Sequence, residues 1–286
     1  MVPGYPERLG HVHDDFVREM RWPDGWMRNE DERLLFLPEW DFQGLSHLMH
    51  NTLRDNYLNG RSVHHWSQET FTLRDDEGRD VLRMNRAGTD IFGVVDESVQ
   101  MIVFMRTEAG IEYLVPRRAR DMVMFPGLLD TFATGYTFDR EESSLQAIAD
   151  EVEKYGIPGW FIREQAREYG TVKYSMAKTN DGRNGCQHHC LEVFEMQIVR
   201  ADAGMLSDEE GKEFQRMTVT EVKAALLRGE FAPHAIMSYV AHFVLHGIVH
   251  RGREPQFDEV CARLQREHDL SVVRSTETEI LEGTEK

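Results

Sequence analysis

Residues 125–157 read FPGLLDTFATGYTFDREESSLQAIADEVEKYGI, and this stretch decides the fold. It combines a glycine-containing loop, an acidic amphipathic helix and a closing glycine. Gly135 is followed after five residues by Glu141. After seven more comes the run Ala149-Asp150-Glu151-Val152-Glu153-Lys154-Tyr155-Gly156-Ile157. Ser143 or Ser144 starts the predicted helix, Leu145, Ile148 and Val152 are its apolar positions, and Gly156 stops it.

Working outward, strands are predicted upstream at 99–107 and 111–116, separated by the turn Glu108-Ala109-Gly110. Arg117, Arg118 and Arg120 follow. Further upstream, Phe42, Leu45, Leu48, Met49, Leu53 and Leu58 recur at helical spacing over 41–59, with Gly60 as a stop. A hairpin follows, 67–73 against 81–85, around Asp75-Asp76-Glu77-Gly78. Residues 1–38 carry Pro3, Pro6, Pro23 and Pro38 and read as irregular or partly helical. Downstream, the pattern predicts a short helix at 161–169 and strands at 170–176 and 191–199, joined across the loop 178–185. An acidic loop covers 201–211 and an extended piece 214–217. Helices follow from Thr220 to a break near Gly229, at 233–249 and at 255–268, and the polar tail from Ser275 reads as disordered. Strands, one central helix, more strands and then helices make an α+β chain. The divisions expected are an N-terminal helix-plus-hairpin extension at 1–90, a main domain at 91–270 and a tail at 271–286.

Composition narrows the function classes. The 286 residues carry a net charge of −17, which disfavours wrapping a nucleic-acid backbone. Three cysteines, Cys186, Cys190 and Cys261, do not form a disulfide framework. No secretory signal is read at the start, and no apolar run approaches the ~20 residues of a spanning helix. The expectation is a soluble, cytoplasmic protein with a small-molecule substrate and no nucleic-acid or membrane partner; a homodimer is left open.

The spacing from Gly135 to Gly156 resembles the Nudix box, G-x5-E-x7-R-E-U-x-E-E-x-G-U with U aliphatic. The flanks are similar to the Nudix subfamily related to the Nudix region of fungal thiamine pyrophosphokinase. They are Phe125-Pro126-Gly127-Leu128-Leu129-Asp130 after Arg117 and Arg118, residues 79–86 and Ile91-Phe92-Gly93-Val94. The others are residues 217–222 and Gly229-Glu230-Phe231-Ala232-Pro233-His234. The likeness runs from about 41 to 268. It implies a Nudix-type α/β/α sandwich and hydrolysis of a small organic diphosphate, thiamine-diphosphate-like, with Mg²⁺ or Mn²⁺. Hard cations want several oxygens, and carboxylates one helical turn apart reach the same space.

The box departs from the pattern. The resemblance makes Glu141 a catalytic carboxylate, but the arginine it orients is Ala149 here. Asp150 and Glu153 keep two ligand positions, and Glu151 stands at the aliphatic one beside them. Lys154 occupies the last ligand position, where an ammonium repels a cation. Tyr136 replaces the second loop glycine. The expected metal set is therefore Asp150, Glu153 and Glu151, with help from Glu209, Glu210 or Glu213. Arg117, Arg118, Tyr136 and Lys173 are the expected substrate contacts. Cys186-Gln187-His188-His189-Cys190 contains zinc-ligand types, but no second pair at finger spacing follows. It reads better as pocket lining, with His188 or His189 as acid and base. His242, His246 and His250 share a helix face and read as packing. Three functions follow: the metal-dependent hydrolase, a repurposed fold doing metal-independent isomerase, cyclase or lyase chemistry on an apolar metabolite with His188, His189, Glu153 or Asp150 as acid and base, and a non-catalytic ligand-binding module.

Overall fold

Strand β5 (Val95–Thr107) carries two apolar rows, because alternate residues of a strand face opposite sides. Val99, Met101, Val103 and Met105 join one core with Ala147, Ile148 and Val152 of helix α4 (Ser144–Glu153) and Ile162 of α5 (Gly159–Gln165). Ile102 and Phe104 join a second core with Val222 and Ala225 of α6 (Val219–Leu227) and Ala235, Tyr239 and Phe243 of α7 (Pro233–Leu245). Helices therefore cover both faces of the sheet, and each fully buried Val, Leu, Ile, Phe or Met contributes about 1.5–3 kcal/mol. This is the α/β/α sandwich expected from the sequence.

The structure is a computed structural model and describes residues 8–75, 77–122, 124–136, 143–179, 182–199, 214–266 and 270. These residues fall into two compact units. One takes residues 8–96, 174–189 and Leu270; the other takes 97–173 and 190–266. No helix among the described residues is long and apolar enough to cross a membrane.

The second unit is built on a six-stranded sheet. Its order is β10 (Phe214–Thr218), β6 (Gly110–Pro116), β5, β9 (Asn184–Gln197), β8 (Arg167–Lys178), with β7 (Ala133–Tyr136) also pairing with β5. β5 and β6 are antiparallel, Val103 opposite Leu114 and Thr107 opposite Gly110. Ser143 caps α4, and Gly156 follows the helix at φ 79°, a left-handed position that glycine adopts cheaply. α7 has Pro233 in its first turn and ends before Gly247 at φ 63°, earlier than the apolar run alone implies. α8 (Phe257–Leu264) completes the unit and buries Cys261.

In the first unit, Asp41 caps helix α2 (Phe42–Leu58) by accepting from the Gly44 amide at 2.8 Å. Leu45, Leu48, Met49 and Leu53 are its buried apolar side chains. The hairpin of β3 (Thr70–Arg74) and β4 (Asp80–Asn85) forms where the turn residues predicted it. Residues 8–38 hold more regular structure than expected: α1 (Asp14–Glu19) and the paired strands β1 (Met27–Asn29) and β2 (Leu34–Phe36). Three-residue strands are too short to show periodicity, so the sequence hid them. α3 (Thr89–Phe92) leads into Gly93.

Candidate functional site

Two of the segments that carried the family resemblance meet in the second unit. The Leu129 amide donates to Glu230 O at 2.8 Å, and the Ala232 amide to Leu129 O at 2.9 Å. This joins the 125–130 stretch to the 229–234 stretch. Asp130, 7% exposed, accepts from His234 Nε2 at 2.6 Å and forms an ion pair with Arg118. Burial pushes the Asp130 carboxyl up, but His234 and Arg118 more than offset this and bring it down to about 2. Arg118 also donates to Met124 O at 3.0 Å, and Arg117 to Gly127 O at 2.8 Å. The two arginines expected to grip phosphate thus hold the loop before the box.

On α4, Asp150 accepts from Gln146 Nε2 at 2.6 Å, and Gln146 accepts from Arg163 at 3.1 Å. Lys154 donates to both oxygens of Glu151, at 2.9 and 2.8 Å. Glu153 accepts from the Gly159 amide at 2.7 Å and so satisfies an open donor of the first turn of α5. Ala149 is fully buried in the core, so an arginine there would bury a charge. Gly135 packs on α4: a Cβ there would stand 3.3 Å from Ala147 O and 3.2 Å from Glu151 Cγ.

Mg²⁺ or Mn²⁺ needs several oxygens pointing at one place. Among the described residues, no three side chains that include an α4 carboxylate bring their ligand atoms within 4.8 Å of one another. Asp150, Glu151 and Glu153 by themselves therefore do not converge on one point. Glu141, Glu209, Glu210 and Glu213 lie outside the described residues, and Tyr136 is placed through its backbone, opposite Ser98 on β5. Lys173 lies on β8 in a bridge with Gln265.

Two other clusters stand out. Glu195 of β9 meets two histidines one turn apart, His242 of α7 through Nε2 at 3.1 Å and His246, the residue that ends the helix, through Nε2 at 2.6 Å. Burial raises the Glu195 carboxyl, yet hydrogen bonds from His242 and His246 outweigh it, leaving it at about 2. His242 has no exposed surface and its imidazole is shifted toward the neutral form, chiefly by desolvation. His250 instead accepts from the Gly252 amide at 3.2 Å.

In the first unit, His188 Nε2 lies 3.0 Å from His11 Nδ1 and 3.1 Å from Cys186 Sγ. His189 turns the other way. It stacks on Tyr174 at 4.7 Å between centroids and meets Gln187 Oε1 at 3.1 Å. The first unit also contains a cavity of about 670 Å³. Trp26, Phe92, Leu37, Met49 and Leu82 give it an apolar lining, and Trp26 and Phe92 stack at 5.7 Å. Arg8, Arg18, Arg28 and Arg33 line it together with Asp14, Glu30 and Glu32, and His11 is on its wall. Sequence reasoning missed this cavity and His11, because most of its walls come from the short elements of residues 8–37.

No protein-family model matches this sequence. The chain is similar to the uncharacterized protein YJR142W of Saccharomyces cerevisiae, 22% identical over 279 residues, which cover 91% of this chain and 80% of that protein. Among solved structures it is similar to DR0079 from Deinococcus radiodurans, at 19% identity and a TM-score of 0.39, covering 57% of this chain and 92% of the other. It is also similar to the Nudix hydrolase RenU from M. smegmatis, at 13% identity and a TM-score of 0.37, covering 63% of this chain and 96% of the other.

Proposed function

We propose that this chain is a Nudix-fold protein that takes a small organic diphosphate, or an amphipathic anion of that kind, in the cavity of its first unit. In this reading the box helix α4 builds the fold. The observation that carries it is the cavity itself. Its volume of about 670 Å³ suits a metabolite. Its stacked Trp26 and Phe92 suit a flat apolar ring, and its arginines suit phosphate oxygens. The thiamine-diphosphate-like class comes from the sequence resemblance. Acid–base work on such a ligand, of the isomerase, cyclase or lyase kind, would fall to His11 on the wall and to His188 behind it.

Calorimetric titration with thiamine diphosphate and simpler organic diphosphates tests the proposal. Arg28→Ala is expected to weaken binding about tenfold or more, the size of a lost charge-assisted hydrogen bond. Glu153→Gln is expected to bind as the wild type does. If nothing in the panel binds, or if Glu153→Gln abolishes binding, the cavity is not the site.

A second reading, Mg²⁺- or Mn²⁺-dependent diphosphate hydrolysis at the box, is favoured by one observation. Gly135 lies against α4, so the strand and the helix that flank the box loop pack together. That activity would need Asp150, Glu151 and Glu153 to be joined by Glu141 and by Glu209, Glu210 or Glu213. Phosphate release in Mg²⁺ would then fall about 10²-fold in Glu153→Gln. Release that is absent from the wild type and gained in Lys154→Glu would place the loss of hydrolysis at the last ligand position.

A further inference from the structure

Cys186 and His188 are two apart on β9 and so share one face of the strand. His11 reaches that face from 177 positions earlier in the chain. The three ligand atoms, one sulfur and two ring nitrogens, lie within 4.8 Å of one another. His188 is 7% exposed, and His11 and Cys186 are half-buried. His188 Nε2 faces both His11 Nδ1 and Cys186 Sγ, although one ring nitrogen offers a single proton or a single lone pair. On the far side of the ring, Nδ1 lies 2.9 Å from Ser175 Oγ. That contact orients the imidazole and directs Nε2 toward the other two groups.

From these positions we infer that His11, Cys186 and His188 form a binding site for zinc or a similar thiolate-seeking divalent metal. A thiol with two imidazoles is a zinc-type donor set, whereas Mg²⁺ prefers oxygen. Metal–nitrogen bonds of ~2.0–2.1 Å and a metal–sulfur bond of ~2.3 Å place tetrahedral ligand atoms roughly 3.3–3.6 Å apart. The spacings of 3.0 and 3.1 Å need to open by only a few tenths of an ångström. Binding exchanges the Cys186 thiol proton for the metal and releases that proton to solvent, so affinity rises with pH. Three protein ligands leave a fourth position for water or another donor. The site uses the same His11 and His188 named above for acid–base work, so a bound metal takes the place of that role, while ligand binding in the cavity is read separately by calorimetry.

The test is titration of the metal-stripped full chain with Co²⁺. One equivalent is expected to bind with a thiolate-to-cobalt charge-transfer band in the near ultraviolet, and Zn²⁺ is expected to displace it. His11→Ala and Cys186→Ser should each remove the band and weaken binding at least tenfold, while Cys190→Ser should keep both. Ser175→Ala should keep the stoichiometry and weaken binding about tenfold, as the loss of a group that only orients a ligand does. A wild type without the band, or a band that persists in Cys186→Ser, overturns the assignment. Cobalt bound without the band would point to Glu195, His242 and His246, which lack sulfur. If Cys186→Ser fails to fold, the Cys190→Ser, Cys261→Ser double variant decides, because Cys186 is then the one thiol left of three. A retained band supports the site and a lost band refutes it.

Discussion

Asp130→Ala is expected to lower the stability of the chain by about 3–5 kcal/mol, the usual loss when one partner of a buried charged set is removed. The substitution leaves Arg118 and His234, whose side chains are 13% and 14% exposed, without their shared carboxylate. It also removes the tie beside the backbone bonds from Leu129 to Glu230 and from Ala232 to Leu129. The folded carboxyl, at about 2, lies below its ordinary 3.8. Its contribution is therefore complete above about pH 4 and is lost as the pH falls from about 4 to 2. That difference is worth roughly 2–3 kcal/mol. Urea unfolding of wild type and Asp130→Ala across pH 2–7 measures both quantities. The gap between the two proteins should close toward pH 2. A loss below about 1 kcal/mol at pH 7, or a gap independent of pH, would show that the cluster is incidental.

Gly93→Ala is expected to be the most damaging single-methyl change in the first unit. Gly93 sits at φ 54°, a left-handed position that costs other residues about 1–2 kcal/mol. A Cβ there would stand 2.1 Å from His11 O and 3.1 Å from Cys186 O. Both neighbours are backbone, so no side-chain rotation relieves the clash, and the segment holding His11 has to move. That segment is tied here by the His11 amide donating to Gly93 O at 3.1 Å. The expected loss is more than about 2 kcal/mol, with cobalt affinity falling alongside it. Gly78→Ala is the comparison: it shares the left-handed backbone, at φ 78°, but nothing lies within 4 Å of its added methyl. Thermal unfolding of the two variants separates backbone strain from collision. Equal losses would mean that the His11 segment yields freely.

Much of this architecture is legible in the amino-acid sequence, for local physical reasons. The α2 helix carries its own cap at Asp41 and an unbroken apolar stripe. The β3–β4 hairpin announces itself through Asp75 and Gly78, and the box spacing locates α4 between Ser143 and Gly156. β9 was harder to bound. It begins at Asn184 and not near Leu191, because Cys186, Gln187, His188 and His189 hide an alternation of faces behind polar side chains. Lys154 and Ala149 were visible as departures from the box pattern. That Glu151 would pair with Lys154, and Glu153 with the Gly159 amide, depended on side-chain geometry that no spacing encodes. His11 gave no local signal, since its partners lie some 177 residues away and only the folded chain brings them near.

The first unit is discontinuous in the chain, since residues 174–189, from the ends of β8 and β9, belong with residues 8–96. No single linear fragment reproduces it. A peptide of residues 8–96 would carry His11, Trp26 and Gly93 but neither Cys186 nor His188. Mixing it with a separately made piece spanning 97–266 turns metal binding into a reporter of fragment complementation. The thiolate–cobalt band should appear only when the two halves reassemble.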